Sequence, residues 1–252
     1  MNAKHLLLLL TASLALGACR DNNTQSSNPP PAPPATTTSE PPPTATPPSA
    51  TPPAATATSS APVAPAGWKV VPFLSQTPVR SFKEAEYVLK DKTNYAAVVE
   101  TDVGRMVLDL YEDDTPTTVN SFVWLALHHY YDGIAFHRVV EGFVVQGGDP
   151  NTISGDPGTW GQGGAGYEFG LEIRKKYKYD AKGVLGMART QDPNSNGSQF
   201  YITLAPTPNL DGQYTIFGRV IEGLDVLDKI QRGEPPANPT RMTRVFIVEK
   251  AK

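Results

Sequence analysis

Phe136-His137-Arg138-Val139-Val140-Glu141-Gly142-Phe143-Val144-Val145-Gln146-Gly147-Gly148-Asp149 holds two short apolar runs, Phe136–Val140 and Phe143–Gln146, on either side of Glu141-Gly142. Runs of this length and composition read as β-strands. Because successive side chains on a strand point to opposite faces, Phe136, Arg138 and Val140 fall on one face, with His137 and Val139 on the other. Gln146 shares the face of Val144, opposite Phe143 and Val145. Further along, Gln199, Tyr201 and Thr203 form a polar face, while Phe200, Ile202 and Leu204 face the expected core. An arginine among aromatic and branched side chains, with glutamines on nearby strands, can donate several fixed hydrogen bonds. Solvent-facing polar residues of half-exposed strands would show the same periodicity, so spacing alone leaves both readings open.

Working outward, Ala96–Thr101 and Arg105–Tyr111 flank Asp102-Val103-Gly104, a hairpin signal. Thr115-Pro116 opens a helix, with threonine as N-cap and proline at the first helical position. Its apolar face is Val119, Phe122, Val123 and Ala126. The other strand candidates are Val184–Ala188, Gln199–Leu204, Tyr214–Val220 and Arg244–Glu249, with a second helix at about Leu224–Ile230. Ser81–Leu89 has helical apolar spacing in Phe82, Ala85, Val88 and Leu89, and reads as an accessory helix before the main domain. The fold class is therefore mainly β. Eight strand candidates suit a closed antiparallel β-barrel, capped by two α-helices and preceded by an extra N-terminal helix.

The N-terminus reads as an address. Lys4 precedes an apolar-rich run from Leu6 to Leu16 that ends at Gly17-Ala18-Cys19. At about 1.5 Å per residue it spans roughly half of a ~30 Å hydrocarbon core, so it is an export signal rather than a membrane-crossing helix. Leu16-Gly17-Ala18-Cys19 resembles the bacterial lipobox, which implies cleavage after residue 18, acylation of Cys19 and a mature N-terminus there. Several acyl chains, at about 0.8 kcal/mol per buried methylene, would hold the protein stably on a membrane. Fourteen of the 25 prolines lie between Pro29 and Pro65, and residues 20–67 hold almost no large apolar side chain. Such a segment cannot bury enough surface to offset the entropy of ordering. The chain thus divides into a signal (1–18), a Pro/Thr/Ala/Ser-rich tether (19–67), a helical extension (68–93) and the main domain (94–252).

Charge and composition exclude several classes. With 22 Lys and Arg against 25 Asp and Glu, the net charge is −3 and there is no basic excess to neutralise nucleic-acid phosphates. One cysteine excludes a disulfide scaffold. Gly161-Gln162-Gly163-Gly164-Ala165-Gly166 matches G-x-G-x-x-G, but no strand precedes it and no helix follows, as a dinucleotide site requires. His128-His129 lacks partners at metal-ligand spacing, so no metal is expected. Asn196-Gly197-Ser198 lacks the nucleophile-elbow pattern, and nothing points to covalent catalysis.

Read together, the opening stretch resembles the signature of the cyclophilin-type peptidyl-prolyl isomerases. Thr115–Phe122 resembles the family's first helix and Tyr131-Asp132-Gly133 the turn before the signature. Gly186–Thr190 and Gly197–Ile202 resemble its substrate-facing strands, and Leu210–Val220 completes the pattern, so the resemblance runs from about Tyr95 to Lys250. It implies an isomerase of X–Pro bonds that needs no cofactor. Resonance raises a barrier of about 18–20 kcal/mol to rotation of the peptide bond. In the twisted transition state the nitrogen lone pair localises, and a donor placed there binds the transition state rather than the ground state. By resemblance Arg138 is that donor and also fixes the substrate carbonyl. Gln146 and Gln199 position substrate and arginine, Phe143, Val144, Tyr201 and Leu210 hold the proline ring, and the peptide backbone lies along Ala188 and Arg189.

The sequence departs from the family pattern in four places. Val144 stands where methionine is common, and Tyr201, where phenylalanine is common, brings a hydroxyl that must find a partner. Asn209 replaces the tryptophan of cyclosporin-sensitive members and Tyr214 a histidine, which implies weak cyclosporin binding with catalysis retained. The partners expected are proline-containing polypeptides of the cell envelope and, through Cys19, a membrane. The domain is expected in the periplasm or cell envelope, with monomer as the default state. Two other functions fit less well: a proline-peptide binding module or holdase with little catalysis, and a structural lipoprotein valued for its tether. Arg138, Gln146 and Gln199 together favour the enzyme, because binding alone would not require the transition-state donor.

Overall fold

The computed structural model describes residues 61–252, so the expected signal, Cys19 and most of the tether lie outside the described residues. Its nine strands are β1 (Lys69–Val70), β2 (Thr93–Thr101), β3 (Gly104–Leu110), β4 (Arg138–Val140), β5 (Val144–Gly147), β6 (Val184–Met187), β7 (Phe200–Thr203), β8 (Ile216–Glu222) and β9 (Met242–Ala251). They make one sheet in the order β1-β9-β2-β3-β8-β6-β7-β5-β4, antiparallel at every described pairing. Two helices join them, α1 (Pro116–Leu127) and the single turn α2 (Val226–Lys229). Among the described residues no helix is long and apolar enough to cross a membrane.

All eight expected strands are present within a few residues, and β1 adds a ninth. The end strands β1 and β4 do not pair, so the expected closed eight-stranded barrel is not completed by a ladder of hydrogen bonds. An isolated antiparallel bridge, Ala135 with Arg241, links the segments at the starts of β4 and β9 instead, through Phe136 N–H to Thr240 O (2.9 Å) and Met242 N–H to Ile134 O (2.9 Å).

The β2–β3 register pairs Thr101 with Gly104, leaving Asp102-Val103 as the turn, as the hairpin signal predicts. Helix α1 begins with proline in its first turn, but Thr115 does not cap it; the Thr115 hydroxyl donates to Tyr111 O (3.1 Å). The open amides of Thr117 and Thr118 instead donate to the Glu172 carboxylate at 3.2 and 2.8 Å. A carboxylate suits this position, because the unpaired N–H groups carry partial positive charge. Phe122 of α1 is fully buried, stacked on Tyr131 (4.9 Å) and edge-on to Phe200 (5.4 Å), and so ties the helix to the main core.

The accessory helix over Ser81–Leu89 does not form; residues 71–91 contain no helix. Phe82, Ala85, Val88 and Leu89 do turn toward the core, as their spacing suggests. Their backbone is engaged elsewhere, however. Phe82 N–H donates to Ala165 O (2.7 Å) and Val88 N–H to the Asn120 side chain (2.8 Å). Tertiary hydrogen bonds have replaced the helical ones, and the segment is an irregular strap. The expected second helix is likewise shorter, at four residues.

Candidate active site

Register builds the site. Across β4, β5, β7 and β6 the paired residues are Arg138, Gln146, Tyr201 and Gly186, one continuous row. Residues paired across antiparallel strands share a face, so the arginine, the glutamine and the tyrosine stand side by side. The next row is Val139, Val145, Ile202 and Leu185, all within the main core. Alternation puts Phe136 on the face of Arg138, but the structure does not. The strand begins only at Arg138, Phe136 is held by Thr240, and its ring is fully buried in the main core.

The outer face is itself covered by a second apolar cluster. Val144, Tyr179, Val184, Tyr201, Leu210 and Ile216 form it, with Phe143, Ala188 and Tyr214 packed against them. The Tyr201 hydroxyl finds its partner in the Tyr179 hydroxyl (2.8 Å), and burial pushes both phenols well above their usual range. Gly186 makes room for this pair, since a Cβ there would lie 2.5 Å from both the Tyr201 ring and the Tyr179 hydroxyl. Tyr214 closes the cluster edge-on to Tyr201 (5.9 Å). Behind it Arg189 stacks at 4.6 Å, and its guanidinium donates to the carbonyls of Thr190, Gln191 and Gln213.

Arg138 sits beside this apolar cluster, 37 % exposed, with its guanidinium 5.7 Å from the Phe143 ring centre. Its Nε lies 3.4 Å from the Glu234 carboxylate, which comes from the turn before β9. An ion pair this exposed adds little stability. Gln146 faces Arg138 in register, yet its amide donates to Gln199 Oε1 (3.0 Å). Gln199 in turn donates to Gly161 O and Gly163 O, both at 2.9 Å. The glycine-rich run thus forms a wall beside the glutamines. A groove of about 810 Å³ extends from the glutamines along this wall, with Tyr167, Glu168, Arg189 and Ser195 among its lining.

His137 is 5 % exposed with no hydrogen bond to either ring nitrogen among the described residues. Burial lowers its pKa below the usual 6.5, opposed by Asp149 and assisted by Arg138, so the neutral ring is favoured. Among the described residues no cluster of His, Cys, Asp or Glu is arranged to hold a metal. His128 bonds Trp124 O and His129 bonds Asp132, both structural contacts at a helix end.

Sequence reasoning missed Tyr179, Glu234 and the space-making role of Gly186. The last had a signal, since glycine inside a strand marks a bulge or a close approach, and the β6–β8 register does shift at Leu185/Gly186. Tyr179 and Glu234 had none, because each reaches the site from a loop remote in sequence.

The family model for cyclophilin-type peptidyl-prolyl cis-trans isomerases matches residues 96–250. Peptidyl-prolyl cis-trans isomerase-like 1 of Rhizopus delemar is 44% identical over 156 residues, covering 61% of this chain and 87% of that protein. Isomerase CYP18-1 of Arabidopsis thaliana is 40% identical over 158 residues, covering 60% and 95%. The crystal structure of a Cryptosporidium parvum cyclophilin-type isomerase superposes with a TM-score of 0.55 at 32% identity, covering 61% of this chain and 97% of that one. A second structure of that protein, with a TM-score of 0.54, was solved in the presence of the dipeptide Ala-Pro.

Proposed function

Since this chain belongs to the cyclophilin-type peptidyl-prolyl cis-trans isomerases, we propose that Arg138 delivers its activity to an X–Pro bond seated over the Tyr201 cluster. The supporting observation is the row Arg138–Gln146–Tyr201–Gly186, which sets a guanidinium donor at the rim of an apolar floor. Phe143, Val144, Tyr201, Leu210 and Tyr214 take the proline ring. The guanidinium hydrogen-bonds the prolyl nitrogen only when twisting has localised its lone pair. Glu234 holds the Nε edge of Arg138, so the terminal amino groups are left to meet substrate. Gln146, fixed by Gln199, presents the rest of its amide to the peptide. Speeding a step of ~100 s to about a millisecond takes roughly 7 kcal/mol. One charge-assisted hydrogen bond contributes about 1.5–3 kcal/mol of that. Desolvation and the shape of the apolar floor supply the remainder.

The test is cis/trans exchange of an Ala–Pro peptide by NMR, with the full chain and its Arg138→Ala variant. Loss of one such hydrogen bond should slow catalysed exchange about ten- to a hundredfold in a variant with unchanged melting temperature. A folded wild type that binds the peptide without accelerating exchange would leave the binding module instead.

The proposal extends to location: an exported protein, acylated at Cys19 and acting on polypeptides of a bacterial cell envelope. The residues Leu16-Gly17-Ala18-Cys19 support it. Mass spectrometry of the N-terminal peptide should show a diacylglyceryl-modified cysteine, and an intact Met1 or an unmodified Cys19 would refute it.

A further inference from the structure

Residues 71–91 precede the stretch that the family model matches, which starts at residue 96, and the structure gives them specific attachments. Val71 N–H bonds Ile247 O, Leu74 N–H bonds Leu127 O and Val79 N–H bonds His128 O. Two further attachments bear on the groove that runs on from the glutamines. Phe82 N–H donates to Ala165 O (2.7 Å), inside the wall whose carbonyls hold Gln199. The neighbouring Gly166 has φ +95°, and a Cβ on it would lie 2.6 Å from Phe82 O. The strap and this wall are therefore in contact without room for a side chain between them.

The opposite wall is reached through Arg80. Its guanidinium donates to the carbonyls of His129 (3.1 Å), Tyr130 and Asp132 (2.6 Å), three acceptors of one turn. From that turn the Tyr130 hydroxyl bonds Ser198 Oγ (2.8 Å) and the Tyr131 hydroxyl bonds Ser198 O (3.3 Å). Ser198 lines the groove and precedes Gln199 in the chain. A planar fork can engage three carbonyls at once, which a lysine ammonium on a flexible stem cannot do with the same rigidity.

We propose that the strap is part of the substrate groove: Arg80 and Phe82 are positioning residues that fix its two walls and so set affinity for the residues flanking the proline. The inference rests on the placement of substrate given above. It assigns the strap no direct part in rotation of the X–Pro bond: neither attachment touches Arg138 or the Tyr201 cluster, and the strap reaches Gln146 only at second hand, through Gln199. Binding gains when a surface is held in its bound geometry beforehand, since less ordering is left to be done on association.

The test compares full-length wild type, Arg80→Lys and Phe82→Pro, the last lacking the amide that bonds Ala165. Two probes are used: the dipeptide Ala-Pro, and a heptapeptide with proline at its centre, long enough to enter the groove. NMR exchange gives kcat and KM, and titration gives Kd on the same samples. Each variant should raise heptapeptide KM and Kd roughly three- to tenfold, about the net worth of one hydrogen bond. Heptapeptide kcat and dipeptide kcat/KM should stay within about twofold of wild type, because the dipeptide does not reach the walls. An equal loss for both peptides would overturn the proposal, showing that the strap supports the centre as a whole. Unchanged heptapeptide affinity in a variant that melts earlier would overturn it too, leaving a stabilising cover only. If Phe82→Pro does not fold, Arg80→Lys decides alone. A wild type that accelerates neither peptide would defeat the isomerase mechanism, while the heptapeptide Kd would still judge the strap.

Discussion

The two faces of β4, β5, β7 and β6 are one residue apart and obey different rules. The inner row, Val139, Val145, Ile202 and Leu185, is uniformly aliphatic and at most 2% exposed. The outer row, Arg138, Gln146, Tyr201 and Gly186, has four unlike members, each suited to its own place. The inner row needs only apolar volume, which several residues can supply. The outer row holds one guanidinium, one amide bonded to Gln199, one hydroxyl with a partner and one position without a side chain. With substrate placed as proposed above, stability and chemistry fall to alternate residues of the same strands, and substitutions should separate them.

The largest expected effect falls on the inner face. Ile202→Ala should cost about 2–5 kcal/mol of stability by opening a cavity, read as a shift in denaturant midpoint. Isomerase activity measured well below the melting temperature should change little. Comparable loss of activity would break the separation of the two faces. Next comes Gly186→Ala on the outer face. The new methyl must displace the Tyr201–Tyr179 pair, an overpacking cost of about 1–3 kcal/mol. Here peptide KM should rise together with the loss of stability, and a variant with wild-type KM would mean the tyrosine pair does not shape the floor.

The smallest effect is a pH dependence at His137, which is buried just before β4. Its folded pKa is depressed, so between that value and the unfolded 6.5 the unfolded chain binds a proton that the folded chain does not. Stability at this position is therefore full above pH 6.5 and declines as pH falls through it. His137→Phe removes both unpaired ring nitrogens and should flatten this part of the stability profile against pH. An unchanged acid slope would place the titrating group elsewhere.

Some of this was legible in the chain and some was not, for reasons that individual residues make plain. Arg138, Gln146 and Tyr201 could be assigned to faces because strand periodicity is local. That they form a single row depends on register between strands up to 63 positions apart, Arg138 to Tyr201. The spacing of Phe82, Ala85, Val88 and Leu89 identified the buried side of the strap correctly. It did not identify the backbone conformation, because Asn120 and Ala165 captured the amides that a helix would have used. Thr115 looked like a cap on local grounds, yet a carboxylate from Glu172, 57 positions on, took its place. The glycine-rich run lines a wall only because Gln199, far from it in the chain, bonds its carbonyls.

By itself the sequence determined the mainly β class, the positions of the strands, the arginine-bearing hairpin and the family. Each follows from short-range periodicity or from contiguous motifs, which need no knowledge of what packs against what. Tertiary structure alone decided that Tyr179 receives the Tyr201 hydroxyl, that Glu234 meets Arg138, and that a strap outside the family match braces the groove. These are pairings between distant segments. Their partners are chosen by the geometry that burying one core imposes, and no local pattern encodes it.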